Sequence, residues 1–175
     1  MRFIKEKKII NKDIQINFFN NIISTFFFTG YIPKASGTFG SLAAILFFFI
    51  PGFYSTFLLS SIIILISIIS FFTIPQLMLK YGDDPSVVVV DEAIGMWISL
   101  NIVSYFYPSE PSFYIYLIAF LSFRFFDIVK LFPADYFDKL KSSFGVVMDD
   151  VVAGVYSGII TLVINMILKK FILLH

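Results

Sequence analysis

Phe144-Gly-Val-Val-Met-Asp149-Asp150-Val-Val-Ala-Gly154-Val-Tyr-Ser-Gly158 sets two adjacent acids at the entrance to a long apolar run. The run continues to Leu174, interrupted only by Asn165 and the pair Lys169-Lys170. A charge at the centre of a membrane helix costs roughly 2.5–3.5 kcal/mol on insertion scales. An acid pair beside such a run therefore calls for a partner, either a basic side chain or a bound cation. The alternative is a helix cap, because acids suit a helix N-terminus. A second pair, Asp91-Glu92, precedes another apolar run. Two pairs in the same setting favour a metal site, with Asp91, Glu92, Asp149 and Asp150 as its ligands.

The surrounding composition is that of a membrane protein. The chain is 58% hydrophobic and only 14% charged, against about 45–50% apolar and about 25% charged in a soluble domain. Its 175 residues suffice for one domain. The net charge of +1 and the lack of a basic stripe argue against nucleic acid. The sequence contains no Cys, and its one His is His175. That removes disulfides, thiolate zinc sites and cysteinyl-phosphate chemistry, and makes a His base improbable. Carboxylates, Lys, Arg, hydroxyls or an oxygen-ligated metal must carry any catalysis, and oxygen ligation suits Mg²⁺ or Mn²⁺.

The expected fold is all-α: a compact, membrane-associated bundle with several transmembrane or partly inserted helices. Residues 1–29 read as a basic tail (Arg2, Lys5, Lys7, Lys8, Lys12) with an interfacial helix over 14–29, rather than a cleaved signal. Residues 30–175 read as a single membrane domain. Within it, apolar runs cover 42–50, 53–74, 93–107 and 112–123, followed by the run from Val151. The run over 53–74 is long enough to span at about 20 residues, and Pro75 ends it. The runs at 42–50, 93–107 and 112–123 are short for spans unless they extend into their flanks, tilt or insert only partway. Taken as two hairpins and a final helix, these segments put 1–41, 75–92 and 124–150 on one side. Of the thirteen Lys and Arg, all but Lys169 and Lys170 fall there. The bias places that side in the cytoplasm. Every acid except Glu110 falls on it too.

Two further groups stand on that side. In Ser122-Phe-Arg124-Phe-Phe-Asp127-Ile-Val-Lys130-Leu-Phe-Pro133, helical spacing makes Arg124 and Asp127, and Asp127 and Lys130, i,i+3 neighbours. They form either a surface ion-pair ladder or a phosphate site, with Arg124 and Lys130 as donors and Asp127 orienting them or joining the metal. Residues 29–41 read as a turn-rich loop, and its last part, Ser36-Gly37-Thr38-Phe-Gly40-Ser41, leads into an apolar helix. It is either a cap or a set of backbone donors for an anion; no Lys-Ser/Thr follows, so it is not a Walker A loop. Asp83, Asp84, Asp135 and Asp138 read as solvated loop acids, and Trp97 as an interface anchor or packing residue. Gly154 and Gly158 have the spacing that lets helices approach closely, which would draw the two acid pairs together.

Four stretches resemble the phosphatidylglycerophosphatase A family: Gly37-Thr-Phe-Gly-Ser41-Leu-Ala-Ala44, Asp84-Pro-Ser-Val-Val-Val-Val-Asp91-Glu92-Ala-Ile-Gly95-Met-Trp-Ile, Phe123-Arg124-Phe-Phe-Asp127-Ile-Val-Lys130 with Pro133, and Gly145-Val-Val-Met-Asp149-Asp150-Val-Val-Ala-Gly154. They occur in the family's order across about residues 30–160. Departures fall in loops: Ser36 and Leu131 stand where the family usually has Pro, and Ser142-Ser143 replaces a Gly-rich approach. The resemblance implies a bacterial inner-membrane enzyme that takes the terminal phosphate from phosphatidylglycerophosphate with Mg²⁺. It also implies an active site on the cytoplasmic side and a role in phospholipid biosynthesis.

Joined to the residue reading, it implies Asp91, Arg124, Asp127, Lys130 and Asp149 as catalytic residues. Gly37, Thr38, Gly40, Ser41, Arg124 and Lys130 then bind phosphate, and the lipid and the bilayer are the partners. The residues alone leave a cation-coupled transporter and a structural membrane subunit as alternatives. Acids at helix ends rather than mid-span argue against the transporter. The spaced acid signature of a CDP-alcohol phosphotransferase is not found.

Overall fold

The computed structural model describes residue 11, residues 13–109 and residues 111–173; Arg2, Lys5, Lys7, Lys8, Lys12, Glu110 and His175 lie outside them. It is all-α, with no strand among the described residues. Among the described residues seven α-helices follow one another: α1 Phe18–Ser24, α2 Ser36–Leu46, α3 Thr56–Tyr81, α4 Val90–Phe106, α5 Phe113–Val129, α6 Ala134–Asp138 and α7 Ser143–Leu173.

Two of these, α3 and α7, are long and apolar enough to cross a membrane. At 26 and 31 residues they reach about 39 and 46 Å, against a hydrocarbon core of about 30 Å. The two 17-residue helices α4 and α5 stand at the lower limit of a span. Both outrun their apolar stretches by taking in charged flanks: α4 starts before Asp91-Glu92, and α5 continues past Arg124 and Asp127.

At the centre is α4, buried along most of its length before the exposed Tyr105 and Phe106, the pattern of a helix enclosed by others. Mid-helix hydrogen bonds tie it to its neighbours. Trp97 Nε1 donates to the Ala44 carbonyl of α2 at 2.9 Å, and Asn101 Nδ2 donates to Ser60 Oγ of α3 at 2.8 Å. Ser99 and Ser157 share a hydrogen bond of 2.8 Å between α4 and α7, and Ser157 also bonds the Ala119 carbonyl of α5 at 2.9 Å. Such bonds contribute about 0.6–2 kcal/mol each in membrane helices. Trp97 is thus a buried, bonded core residue rather than an interface anchor.

The α4–α7 packing depends on missing side chains. A Cβ on Gly154 would overlap the Gly95 carbonyl oxygen, and one on Gly158 would meet Ile102 and the Ser99 carbonyl. This is the close approach that the Gly154/Gly158 spacing predicts.

Four boundaries differ from the sequence reading. The helix α3 passes through Pro75 to Tyr81. Proline lacks the N–H that the Phe71 carbonyl would accept, and Ser143 Oγ donates to that carbonyl instead, at 3.2 Å. Helical structure in α2 begins at Ser36, so the expected loop is its first turn. The interfacial helix shrinks to the seven residues of α1, because Phe26, Phe27 and Phe28 all take left-handed backbone angles after it. Finally, α7 starts at Ser143, where Ser142 Oγ accepts from Gly145 N at 3.1 Å and caps the helix. Asp149 and Asp150 therefore sit in the second turn, and the capping alternative does not apply to them.

Candidate active site

The starts of α2, α4 and α7 and the ends of α3 and α5 converge around a cavity of about 460 Å³. Its lining comes from 35–37, 83–92, 124–130 and 138–150, the segments whose charges sort to one side in the sequence.

Three carboxylates form its deepest group. Asp91 and Glu92 lie in the first turn of α4, and Asp150 comes from α7. One oxygen from each lies within 4.8 Å of the others. Asp91 and Asp150 are buried, and neither Asp91 Oδ1 nor Glu92 Oε2 has a hydrogen-bond partner among the described residues. Like charges about 4 Å apart repel by roughly 4 kcal/mol at the effective dielectric of a protein surface. A buried trio with orphaned oxygens fits a hard divalent cation, which takes oxygen ligands. The Asp91–Glu92–Asp150 group can hold a metal ion.

Asp149 faces elsewhere. Its Oδ2 accepts from Lys130 Nζ at 2.8 Å. Lys130 reaches it because α5 ends at Val129 and Lys130 itself is left-handed, with φ 48°. That turn swings the ammonium away from Asp127, the i,i+3 neighbour, and into a bridge between Asp138 of α6 and Asp149 of α7. Burial pushes the ammonium toward the neutral form, but hydrogen bonds and charge from Asp138 and Asp149 outweigh it. Together they hold the Lys130 pKa above the ordinary lysine value.

Arg124 and Asp127 keep the expected pairing, at 2.8 Å. Opposite them is Gly37, at the start of α2. A Cβ there would overlap Glu92 Oε1 and stand 3.1 Å from Arg124 Nη1. With Gly37 there, α2 closes over both groups without displacing either side chain.

The other candidate phosphate residues of α2 do not line the cavity. Ser41 Oγ is turned back onto the Gly37 carbonyl at 2.9 Å, Gly40 packs on Val89, and Thr38 lies outside the lining.

The sequence profile of the phosphatidylglycerophosphatase A family matches residues 22–165. The chain belongs to this family. A Bacteroides thetaiotaomicron protein, named provisionally as a phosphatidylinositol-3-phosphatase, is 39% identical over 79% of this chain and 89% of its own length. The phosphatidylglycerophosphatase A of Haemophilus influenzae is 36% identical over 83% of this chain and 88% of its own. That of Escherichia coli is 33% identical over 79% of this chain and 78% of its own. No solved structure matches the chain significantly.

In this member of the family the cavity also holds three acids that were read as solvated loop positions and one lysine that the sequence did not single out. The acids are Asp83, Asp84 and Asp138, and the lysine is Lys141. Lys141 Nζ lies 3.8 Å from Asp83 Oδ2. One signal pointed to Asp84: it heads the stretch that carries the family resemblance. For Asp138 and Lys141 no local pattern did, since the reversal through α6 brings them to the site.

Proposed function

We propose that this protein is a lipid phosphatase that hydrolyses phosphatidylglycerophosphate to phosphatidylglycerol and inorganic phosphate. It works in the bacterial inner membrane with the cavity on the cytoplasmic side, and serves phospholipid biosynthesis. The observation that carries this reading is the three-carboxylate group beside Arg124 and Lys130, in a chain of this family.

Asp91, Glu92 and Asp150 would hold Mg²⁺, with Asp149 next to them on α7. When bound, the ion supplies positive charge to a phosphoryl oxygen. A phosphomonoester is close to a dianion at neutral pH, so it needs further cations beside so many carboxylates. Arg124 donates to a second phosphoryl oxygen, held in place by Asp127. Lys130 donates to a third, positioned by Asp149 and Asp138. Gly37 clears the space in which the phosphate meets Arg124 and Glu92. Hydrolysis breaks the bond between phosphorus and the glycerol oxygen and forms one to the oxygen of water. One proton of that water goes to the departing alkoxide and the rest leave with phosphate. The acyl chains stay at the depth of the bilayer, because the cavity lies at the helix ends.

The test is phosphate release by the purified protein in detergent, with Mg²⁺ and with chelator, for the unaltered chain and for Asp91→Asn and Asp149→Asn. Release should need the ion and should collapse in both variants. Full activity in both, or activity indifferent to chelation, would sink the mechanism. The name of the Bacteroides relative puts phosphatidylinositol 3-phosphate in the same assay, as the competing headgroup.

A further inference from the structure

A second cavity, of about 380 Å³, lies beside α2. This is within the usual size range of a ligand pocket, about 300–1,000 Å³. Its walls are apolar apart from Thr29: Phe39, Leu42, Ala43 and Leu46 come from α2, and Phe113 and Tyr116 from α5.

The two cavities draw part of their walls from the same pair of helices. On α2, residues 36, 39, 43 and 46 fall on one helical face. Ser36 lines the charged cavity, and the other three line the apolar one. On α5, residues 113, 116, 120, 124 and 127 share a face in the same way. Phe113 and Tyr116 line the apolar cavity, and Arg124 and Asp127 the charged one. The same two helices, packed against each other, thus run from carboxylates and guanidinium at one end to hydrocarbon and aromatic rings at the other. From Gly37 to Leu46 helix α2 runs about 14 Å at 1.5 Å per residue, the span from the charged cavity to the apolar one.

We infer that the apolar cavity binds an acyl chain of the phospholipid whose terminal phosphate occupies the charged cavity. The inference rests on the phosphatase reading. A phospholipid phosphomonoester has the same order along its length: phosphate, polar glycerol, then hydrocarbon. The groove is accordingly a specificity element. It selects a membrane-anchored phosphomonoester over a water-soluble one of the same headgroup, and Ala43 sets the room left for the chain.

The experiment uses the full chain in detergent micelles with two substrates: dioleoyl phosphatidylglycerophosphate and its deacylated counterpart, glycerophosphoglycerophosphate. Ala43→Trp fills the groove. It should lower kcat/KM for the diacyl lipid by about tenfold or more, the scale of a mismatch in an apolar pocket, and change the deacylated substrate by less than about twofold. Equal losses on both substrates, or no loss on either, overturn the inference. A second measurement needs no turnover. Phosphatidylglycerol carrying a photoreactive diazirine in its acyl chain should label the α2 segment with Phe39, Leu42 and Leu46, and Ala43→Trp should suppress that labelling. Label spread evenly over the exposed faces of α3 and α7 overturns it. If the unaltered protein releases phosphate from neither substrate, the phosphatase reading fails, and the labelling pattern still decides the groove.

Discussion

The two acid pairs look alike in sequence and behave differently in the fold. Asp91-Glu92 and Asp149-Asp150 each precede a small-residue helix stretch, Ala-Ile-Gly95 in one case and Val-Val-Ala-Gly154 in the other. The first pair delivers both carboxylates to a single point. The second divides: Asp150 joins that point, while Asp149 turns to Lys130. What lies on each side of α7 accounts for the division. Asp149 and Asp150 lie in the second turn of α7, where adjacent side chains stand about 100° apart. Asp150 faces α4, and Asp149 faces the loop that holds Lys130 and α6. A repeated pair is therefore not a repeated function, and the difference can be tested one carboxylate at a time.

The largest effect should come from Asp150→Asn, which removes a carboxylate from the trio. Activity should fall by more than about 100-fold, beyond the 10–100-fold usual for groups around a metal's direct ligands. Stability should move the other way. Without metal, one like charge fewer is buried beside Asp91 and Glu92, so the melting temperature should rise, at roughly 2–4 °C per kcal/mol for a chain of this size. The added stability that excess Mg²⁺ gives the unaltered protein, about 2.7 kcal/mol at one hundred times its Kd, should vanish. Asp149→Asn should do the reverse on both counts. It should keep the Mg²⁺ response, lose about 10–100-fold in activity, and lower the metal-free melting temperature by stripping Lys130 of a buried partner. Matching thermal responses in the two variants would show that the pair acts as one unit after all.

Next in size is the contact that joins the two halves. Gly154→Ala forces a methyl group into the Gly95 carbonyl, and overpacking of this kind costs about 1–3 kcal/mol. The α4 and α7 acids should separate together. Activity and Mg²⁺ stabilisation should therefore fall in step, as measured by phosphate release and thermal unfolding on the same preparation. Loss of stability with an intact Mg²⁺ response would show that the trio does not depend on this helix contact.

Much of this arrangement was legible because it is written in short range. Acids before apolar runs, the Arg124–Asp127 spacing and the Gly154–Gly158 spacing are all local patterns, and the structure places them at or beside the convergent helix ends. What was not legible depends on distant partners. Nothing near Pro75 announces that Ser143 will bond the Phe71 carbonyl and let α3 continue. Nothing near Trp97 announces the Ala44 carbonyl. Lys130 leaves the helical spacing expected of it because a left-handed residue ends α5 there, and such a turn in a lysine has no sequence signature. Asp138 was read as a solvated acid for the same reason. Its partner lies across that turn, and its own surroundings are polar and short of hydrophobic pattern.

The smallest expected effect belongs to Asp138, the exposed arm of the Lys130 bridge. Asp138→Asn leaves Lys130 with Asp149, so activity should drop only a few-fold, below the lower end of the 10–100-fold range. A partly exposed ion pair contributes about 0–1 kcal/mol, and its pH dependence has a definite sign. Lys130 has a folded pKa above the unfolded value of about 10.4. The stability it contributes is thus complete below the unfolded pKa and is lost as pH climbs through the folded one. Thermal unfolding of the unaltered protein and Asp138→Asn should accordingly differ by a constant small amount from neutral pH to about pH 10. Above that the two curves should converge as Lys130 loses its proton in both. A gap that widens with alkalinity, or closes already near pH 8, would mean that Asp138 stabilises the fold by some route other than Lys130.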